Sequence, residues 1–123
     1  MGGRTVTVLV VDDDAAIRLV CRVNLELDGH RVLEAASLDA ARRELERNDV
    51  DVMLLDRRVG ADDGYDLLRE LRDNESGVRV ALVTGSVEIR AEDRKIADAV
   101  LTKPFTIEDL VATVRGLAEV PSP

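Results

Sequence analysis

Runs of consecutive apolar residues alternate five times with amphipathic stretches along this chain. Apolar runs of this length are typical of strands in a parallel sheet that is buried on both faces. The amphipathic stretches repeat their apolar residues at the spacing of helices. Because strands and helices alternate, the pattern predicts repeated βαβ units and therefore an α/β fold, a five-unit sandwich around a parallel sheet.

The positions of the individual elements follow from the same pattern. Strands are predicted at residues 5–11, 31–35, 50–55, 78–83 and 99–101. Helices are predicted at residues 15–28, after caps at Ser37 and Thr106, and around Leu67. Residues 88–97 are mostly charged and carry few apolar anchors. We therefore expect a fourth helix that is short and irregular or mobile.

Three carboxylates follow two of the most apolar strands. Asp12 and Asp13 come directly after the first predicted strand, and Asp56 follows the third. Open α/β sheets bind their ligands at the carboxyl ends of the strands, and right-handed crossovers bring Thr84 and Lys103 to the same edge. Carboxylates at such close range do not all stay ionised without a cation. The pattern thus predicts a divalent metal site that contains a potentially nucleophilic aspartate.

These five side chains suit the transfer of a phosphoryl group to a carboxylate. A phosphoryl group arriving on Asp56 carries negative charge, and its transfer depends chiefly on positioning and charge neutralisation. Mg²⁺, a hydrogen bond from the Thr84 hydroxyl and the charge of the Lys103 ammonium would supply both. We expect Mg²⁺ to bind Asp13 and Asp56 directly and Asp12 through a water molecule.

Length, charge and cysteine content limit the setting in which this chemistry takes place. The chain of 123 residues has the length of one domain, expected over residues 1–119, with residues 120–123 as a tail or the start of a linker. A net charge of −8 disfavours direct binding to nucleic acids or anionic membranes. No apolar stretch reaches the roughly 20 residues of a membrane span. The single cysteine, Cys21, excludes an intramolecular disulfide, so we expect a cytoplasmic location.

Five short motifs resemble those of the receiver domain of two-component response regulators. They are Val10-Val11-Asp12-Asp13-Asp14, Leu54-Leu55-Asp56, Asp63-Gly64, Val83-Thr84-Gly85 and Leu101-Thr102-Lys103-Pro104-Phe105. Each motif lies at the end of a predicted strand or the start of a predicted helix, and together they span essentially the whole chain. Any one of them is weak, but five in this order make chance agreement improbable.

The resemblance implies a fold, a reaction and a set of partners. The fold is flavodoxin-like with strand order 2-1-3-4-5. The reaction is phosphoryl transfer from a phosphohistidine to Asp56 and slow self-catalysed hydrolysis, so the chain is a phosphoacceptor rather than an enzyme. The resemblance further implies that Arg58 offers its backbone carbonyl to Mg²⁺, and that Pro104 often follows a cis peptide bond. The implied partners are a sensor histidine kinase or phosphotransfer protein and an unidentified downstream partner or output domain, with the domain a monomer or weak dimer.

Three departures from the family pattern bear on signalling. Receivers commonly carry a Met-Pro pair after the phosphoacceptor, whereas this chain has Arg57 and Arg58, of which the second is expected to cover the phosphoryl group or to pair with Asp62. Val100 stands where many receivers have a switch aromatic, and the fourth helix is short. We therefore expect phosphorylation to draw Thr84 toward the phosphoryl group and to move residues 85–87 and the fourth helix, an altered signalling surface.

Other classes of protein fit the residues less well. An interaction module that does not depend on phosphorylation would tolerate loss of any cleft residue, and all five are present; it is kept as the alternative. A haloacid-dehalogenase-type phosphatase would use Asp12 as nucleophile, but Ala16 replaces the expected hydroxyl residue and the chain has no room for a cap domain. A nucleotide or flavin binder would need a phosphate loop where the carboxylates stand, and these would repel a phosphate.

Overall fold

The computed structural model describes residues 4–85 and 90–119 of the chain. Residues 1–3, 86–89 and 120–123 lie outside the described residues. The predicted tail at 120–123 and the first two residues of the predicted fourth helix, 88 and 89, fall within these gaps. The segment 85–87 that was expected to move is described only at Gly85.

Seven strands and five helices make up the described part of the chain. Their order is β1 (Thr7–Val11), α1 (Ala15–Leu27), β2 (Arg31–Ala35), α2 (Leu38–Arg47), β3 (Val52–Asp56), β4 (Arg58–Val59), β5 (Asp62–Asp63), α3 (Gly64–Asp73), β6 (Arg79–Gly85), α4 (Ala91–Ile96), β7 (Ala99–Lys103) and α5 (Ile107–Ala118). Within these ranges, no helix combines the length and the apolar character that crossing a membrane requires.

Five of the strands form one parallel sheet in the order β2-β1-β3-β6-β7. Since β6 and β7 are its fourth and fifth strands along the chain, the predicted order 2-1-3-4-5 and the flavodoxin-like fold are confirmed. The last two strands are longer than predicted, because their pairing continues through Thr84 with Thr102 and Gly85 with Lys103. Thr84 and Lys103 therefore belong to the strands and do not follow them.

Two apolar cores lie on the two faces of this sheet. Alternate residues of β1 and β3, such as Val8 and Leu54, pack against α1 and α5 on one face. Their neighbours, such as Leu9 and Leu55, pack against α2 and α3 on the other face. Successive side chains of a strand point to opposite faces, so a strand between two cores must be apolar at nearly every position. This packing explains the continuous apolar runs from which the sheet was predicted.

Polar side chains begin the helices that border the carboxyl edge of the sheet. Asp14 accepts a hydrogen bond from the Ala16 amide at 2.9 Å and caps α1. The Thr106 hydroxyl accepts one from the Asp109 amide at 3.0 Å and caps α5. Such caps satisfy amides that have no partner inside the helix. They also fix where each loop at this edge ends and its helix begins.

The fourth helix is short, as predicted, with the six residues Ala91–Ile96. Polar contacts hold its carboxyl end to the rest of the domain. Arg72 of α3 donates to the Ile96 carbonyl at 2.7 Å and pairs with Asp98 at 2.7 Å. The sequence predicts a weakly held segment because it has few apolar side chains to bury. In the described part of this helix, contacts of charged side chains hold it in place instead.

A two-stranded antiparallel ladder between β4 and β5 was not predicted. It joins Arg58 with Asp63 and Val59 with Asp62, directly after the end of β3. Strands of two residues are too short to show an alternating pattern in the sequence.

Candidate functional site

The ends of β1, β3 and β7 bring the ionisable residues of the candidate site together. Asp12 directly follows β1, while Asp56 and Lys103 are the last residues of β3 and β7. The Lys103 Nζ lies 2.7 Å from Oδ2 of Asp56 and 3.3 Å from Oδ2 of Asp12. Two carboxylates therefore share one ammonium group at the carboxyl edge of the sheet, where ligands of open α/β sheets bind.

Asp13 completes a cluster of three carboxylates. One oxygen each of Asp12, Asp13 and Asp56 lie within 4.8 Å of one another. Asp12 and Asp56 are buried, and Asp13 is exposed to solvent. An all-oxygen set open to water on one side is what Mg²⁺ uses, since Mg²⁺ binds one or two carboxylates and keeps several waters. The residues present therefore fit this ion.

Burial raises the pKa of the Asp12 carboxyl above its usual value. The hydrogen bond from the Asp14 amide opposes the rise, the nearby Asp56 carboxyl adds to it, and the charge of Lys103 also opposes it. The Asp14 hydrogen bond and the Lys103 charge thus do not fully offset the burial of Asp12 and the effect of the nearby Asp56 carboxyl. A bound cation would remove this electrostatic cost, which agrees with the donor set.

Lys103 keeps its charge in spite of partial burial. Burial alone would lower the pKa of the ammonium, but the hydrogen bond and charge of Asp56, followed by those of Asp12, raise it above its ordinary value. The peptide bond between Lys103 and Pro104 is cis. The cis bond agrees with the resemblance to receiver domains. The raised pKa of Lys103 keeps its ammonium cationic at neutral pH.

Backbone amides orient the two buried carboxylates. Oδ1 of Asp56 accepts a hydrogen bond from the Arg58 amide at 3.0 Å. Oδ1 of Asp12 accepts one from the Asp14 amide at 2.9 Å. Since the second oxygen of each carboxylate contacts Lys103, both groups are held in a defined orientation at the strand ends.

Thr84 and Arg58 lie beside this cluster. Thr84 is buried in β6, one residue beyond Val83, the register partner of Asp56. Its hydroxyl donates a long hydrogen bond of 3.4 Å to the Gly85 carbonyl. The Arg58 side chain is exposed, and only its backbone reaches the cluster. The short loop contains an ion pair between Arg57 and Asp63, not the expected one between Arg58 and Asp62.

The sequence predicts no separate role for Arg57, yet Arg57 is the more buried of the two arginines. Its guanidinium donates to Asp63 at 2.8 Å and, through Nη1, to both carboxylate oxygens of Asp93 at 3.0 and 2.9 Å. It also lies 5.3 Å from the centre of the Tyr65 ring. One sequence feature indicates this position. Arg57 directly follows a buried strand, so its side chain points to the face opposite that of Asp56, toward α3 and α4.

Gly64 and Arg18 are two further residues that shape the site. A Cβ atom added to Gly64 would lie 2.2 Å from the carbonyl oxygen of Asp56, so the start of α3 approaches β3 too closely for a side chain. Arg18 donates to the Asp12 carbonyl at 2.6 Å and pairs with Glu34 at 3.2 Å. The close approach of α3 explains why the Asp63-Gly64 motif has a glycine. The two contacts of Arg18 hold the loop that carries Asp12 and Asp13.

Comparisons with known proteins agree with this geometry. The family model described as response regulator receiver domain matches residues 8–115. The phosphate regulon transcriptional regulatory protein PhoB of Pseudomonas aeruginosa is 33% identical over 117 residues, which cover 90% of this chain and 51% of the relative. The KDP operon transcriptional regulatory protein KdpE of Escherichia coli is 38% identical over 114 residues, covering 88% and 49%. The chain thus spans about half the length of these curated relatives.

Solved structures of separate receiver domains match over nearly their whole length. The receiver domain of a Francisella response regulator has a TM-score of 0.83 at 28% identity, covering 93% of this chain and 97% of the other. A CheY-like receiver domain protein of Methanospirillum hungatei has a TM-score of 0.83 at 26% identity, covering 94% and 95%. The family match, the strand order and the cluster of three carboxylates agree, and this chain belongs to the response regulator receiver domain family.

Proposed function

We propose that Asp56 accepts a phosphoryl group from the phosphohistidine of a sensor histidine kinase or phosphotransfer protein. The reaction depends on Mg²⁺ and changes a surface that binds a downstream partner. The observation that carries this proposal is the contact of 2.7 Å between the Lys103 ammonium and Asp56, inside a cluster of three carboxylates. A cation beside a buried carboxylate at a strand end stabilises the negative charge of an arriving phosphoryl group.

The proposed transfer uses this chain's own side chains in defined roles. A carboxylate oxygen of Asp56 bonds to phosphorus while the phosphorus–nitrogen bond of phosphohistidine breaks, and the electron pair of that bond leaves with the imidazole. The Lys103 ammonium moves from the carboxylate oxygen to the phosphoryl oxygens, and the Thr84 hydroxyl donates a hydrogen bond to one of them. Later attack of water on phosphorus releases phosphate and restores the Asp56 carboxylate, so the domain returns to its initial state.

Asp13 and Asp56 would hold Mg²⁺ directly, Asp12 through a water molecule, and Arg58 through its backbone carbonyl. The Arg58 amide already contacts Asp56, which supports a role for this stretch of backbone. When bound, the ion neutralises phosphoryl oxygens and aligns donor and acceptor. The chain is thus a phosphoacceptor that acts on itself, with no turnover of a separate substrate.

The output is proposed to pass through a partner or a separate output domain. The relatives PhoB and KdpE are named as transcriptional regulatory proteins. A net charge of −8 disfavours contact of these residues with DNA. An interaction module that works without phosphorylation is the alternative, and it would give the cluster of three carboxylates no chemical role.

Labelling with a small phosphodonor tests the proposal. Wild-type protein incubated with Mg²⁺ and acetyl phosphate should gain one acid-labile phosphate, and peptide mapping should locate it at Asp56. Asp56→Asn should gain none. Asp62→Asn is the matched control, because Asp62 is an exposed carboxylate of the adjacent ladder, and this variant should label like the wild type. Labelling that persists in Asp56→Asn, or no labelling of the wild type, would reject the proposal in favour of the alternative.

A further inference from the structure

Asp93 of α4 is the most deeply buried charged residue among the described residues, with an exposed fraction of 0%. Both of its carboxylate oxygens accept hydrogen bonds from Nη1 of Arg57. Oδ2 also accepts one from the Arg90 amide at 3.0 Å, at the start of the helix. The buried carboxylate therefore joins the beginning of α4 to the residue that directly follows Asp56.

Arg57 is fixed at its backbone as well as at its side chain. Its amide donates to the Val83 carbonyl at 2.8 Å, one residue before Thr84. Its carbonyl accepts from the Gly64 amide at 2.7 Å, at the start of α3. Arg57, which directly follows β3, thus contacts the end of β6 and the start of α3 through its backbone and α4 through its guanidinium.

A buried ion pair of this kind resists separation. Water cannot replace the partner of Asp93, and removing Arg57 leaves this carboxylate buried without a counter-charge. Arg57 and Asp93 are therefore expected to move together when either of them is displaced. The pair between Arg72 and Asp98 at the other end of α4 lacks such a link to Asp56, because Arg72 contacts the Ile96 and Val78 carbonyls.

We propose that Arg57 is a positioning residue that couples the state of Asp56 to the position of α4 through its ion pair with Asp93. This inference rests on the proposed phosphorylation of Asp56. A phosphoryl group that draws Thr84 and the backbone of residues 56–58 toward itself displaces Arg57, and the ion pair carries that displacement into the helix. Since coupling between two sites is reciprocal, a partner that binds α4 also changes the affinity of Asp56 for a phosphoryl mimic.

Hydrogen exchange with fluoroberyllate and Mg²⁺ tests this coupling. In the wild type, the protection of the α4 amides, Ala91–Ile96, should change when fluoroberyllate binds. The double variant Arg57→Met/Asp93→Leu replaces the ion pair by apolar side chains, an exchange that is often neutral or stabilising. It should still bind fluoroberyllate, as measured by calorimetry, while the change of protection in α4 falls at least threefold.

The matched control is Arg72→Met, which removes the ion pair at the other end of the same helix. It should preserve the fluoroberyllate-dependent change in α4. A wild-type response in the double variant would overturn the inference, as would an equal loss in Arg72→Met. Binding is measured separately, so a wild type that does not bind fluoroberyllate rejects the proposed phosphorylation, whereas binding without any α4 response rejects only the coupling.

A second variant decides the matter if the double variant does not fold, as judged by its circular dichroism. Arg57→Lys keeps the positive charge, but one ammonium group cannot reproduce the contacts that Nε and Nη1 make with Asp63 and Asp93. It should bind fluoroberyllate with the α4 response reduced about twofold. An undiminished response in this folded variant would overturn the role of the guanidinium.

Discussion

Two ion pairs lie on opposite sides of the same strand end, and they differ in how far water reaches them. Asp56 pairs with Lys103, whose side chain keeps 30% of its surface exposed. Arg57, the next residue, pairs with Asp93, and the exposed fractions of these side chains are 7% and 0%. Because successive residues near a strand end point to opposite faces, adjacent residues serve an open cleft and a closed interior.

The difference in exposure determines which pair can be rearranged. An ion pair that keeps one partner open to water exchanges partners at a lower cost than a fully buried pair. Lys103 can therefore leave Asp56 for an arriving phosphoryl group. The closed pair, Arg57 with Asp93, has no solvent to replace a lost partner. It can therefore keep two parts of the molecule together while the open pair, Asp56 with Lys103, changes.

The largest expected effect comes from removing one partner of the closed pair. Asp93→Ala removes the buried counter-charge of the Arg57 guanidinium, which then keeps only the half-exposed Asp63, and this should lower the free energy of unfolding by about 3–5 kcal/mol. Urea denaturation measures this loss. The double variant Arg57→Met/Asp93→Leu should recover most of it. If the single variant loses less than the double one, the buried charge is not the cause.

A second effect concerns the contact between α3 and the strand end that carries both pairs. Gly64→Ala would bring a Cβ atom to 2.2 Å from the Asp56 carbonyl oxygen, so the backbone must shift, at a cost of about 1–3 kcal/mol in unfolding free energy. The control Gly116→Ala in α5 meets no atom within 4 Å and should stabilise by about 0.5–1 kcal/mol. Equal effects of the two substitutions would show that helix propensity and not the close approach decides.

The sequence places Asp56 and Lys103 of the open pair together, but it does not predict the closed pair between Arg57 and Asp93. Asp56 directly follows one predicted strand and Lys103 lies two residues beyond another, and the rule for strand ends places both at one edge. Arg57 follows the same run, but its partner Asp93 lies in a helix whose charged residues give no apolar period. Periodicity describes burial of apolar side chains, so it cannot identify a helix that is anchored by a buried charge.

A smaller effect should appear in the open cluster as a dependence of stability on pH. Burial, together with the Asp56 carboxyl, raises the pKa of Asp12, so the folded protein holds this proton to higher pH than the unfolded chain. The free energy of unfolding therefore falls as the pH rises from the ordinary value of 3.8 through the raised one.

The substitution Asp12→Asn removes this titration. Urea denaturation in the presence of a chelator should show that the variant is more stable than the wild type at pH 7 and no more stable at pH 3. The gain at pH 7 should be smaller than the losses expected for Asp93→Ala and Gly64→Ala. Mg²⁺ should reverse the order at pH 7, because it stabilises the wild-type carboxylates. A variant that is less stable than the wild type at pH 7 without Mg²⁺ would show that the Lys103 contact outweighs the cost of burial.

The smallest effect separates two adjacent arginines. Arg58 exposes its side chain and reaches Asp56 only through its backbone amide, which alanine retains. Arg58→Ala should therefore change the free energy of unfolding by no more than about 0.5 kcal/mol, as surface substitutions usually do. Arg57→Ala is the matched comparison in the same urea titration, and it should approach the loss seen for Asp93→Ala because it strands the other partner of the closed pair. Equal losses of unfolding free energy for the two variants would mean that the exposed Arg58 side chain also stabilises the fold. That result would contradict the proposed difference between open and closed surroundings at this strand end.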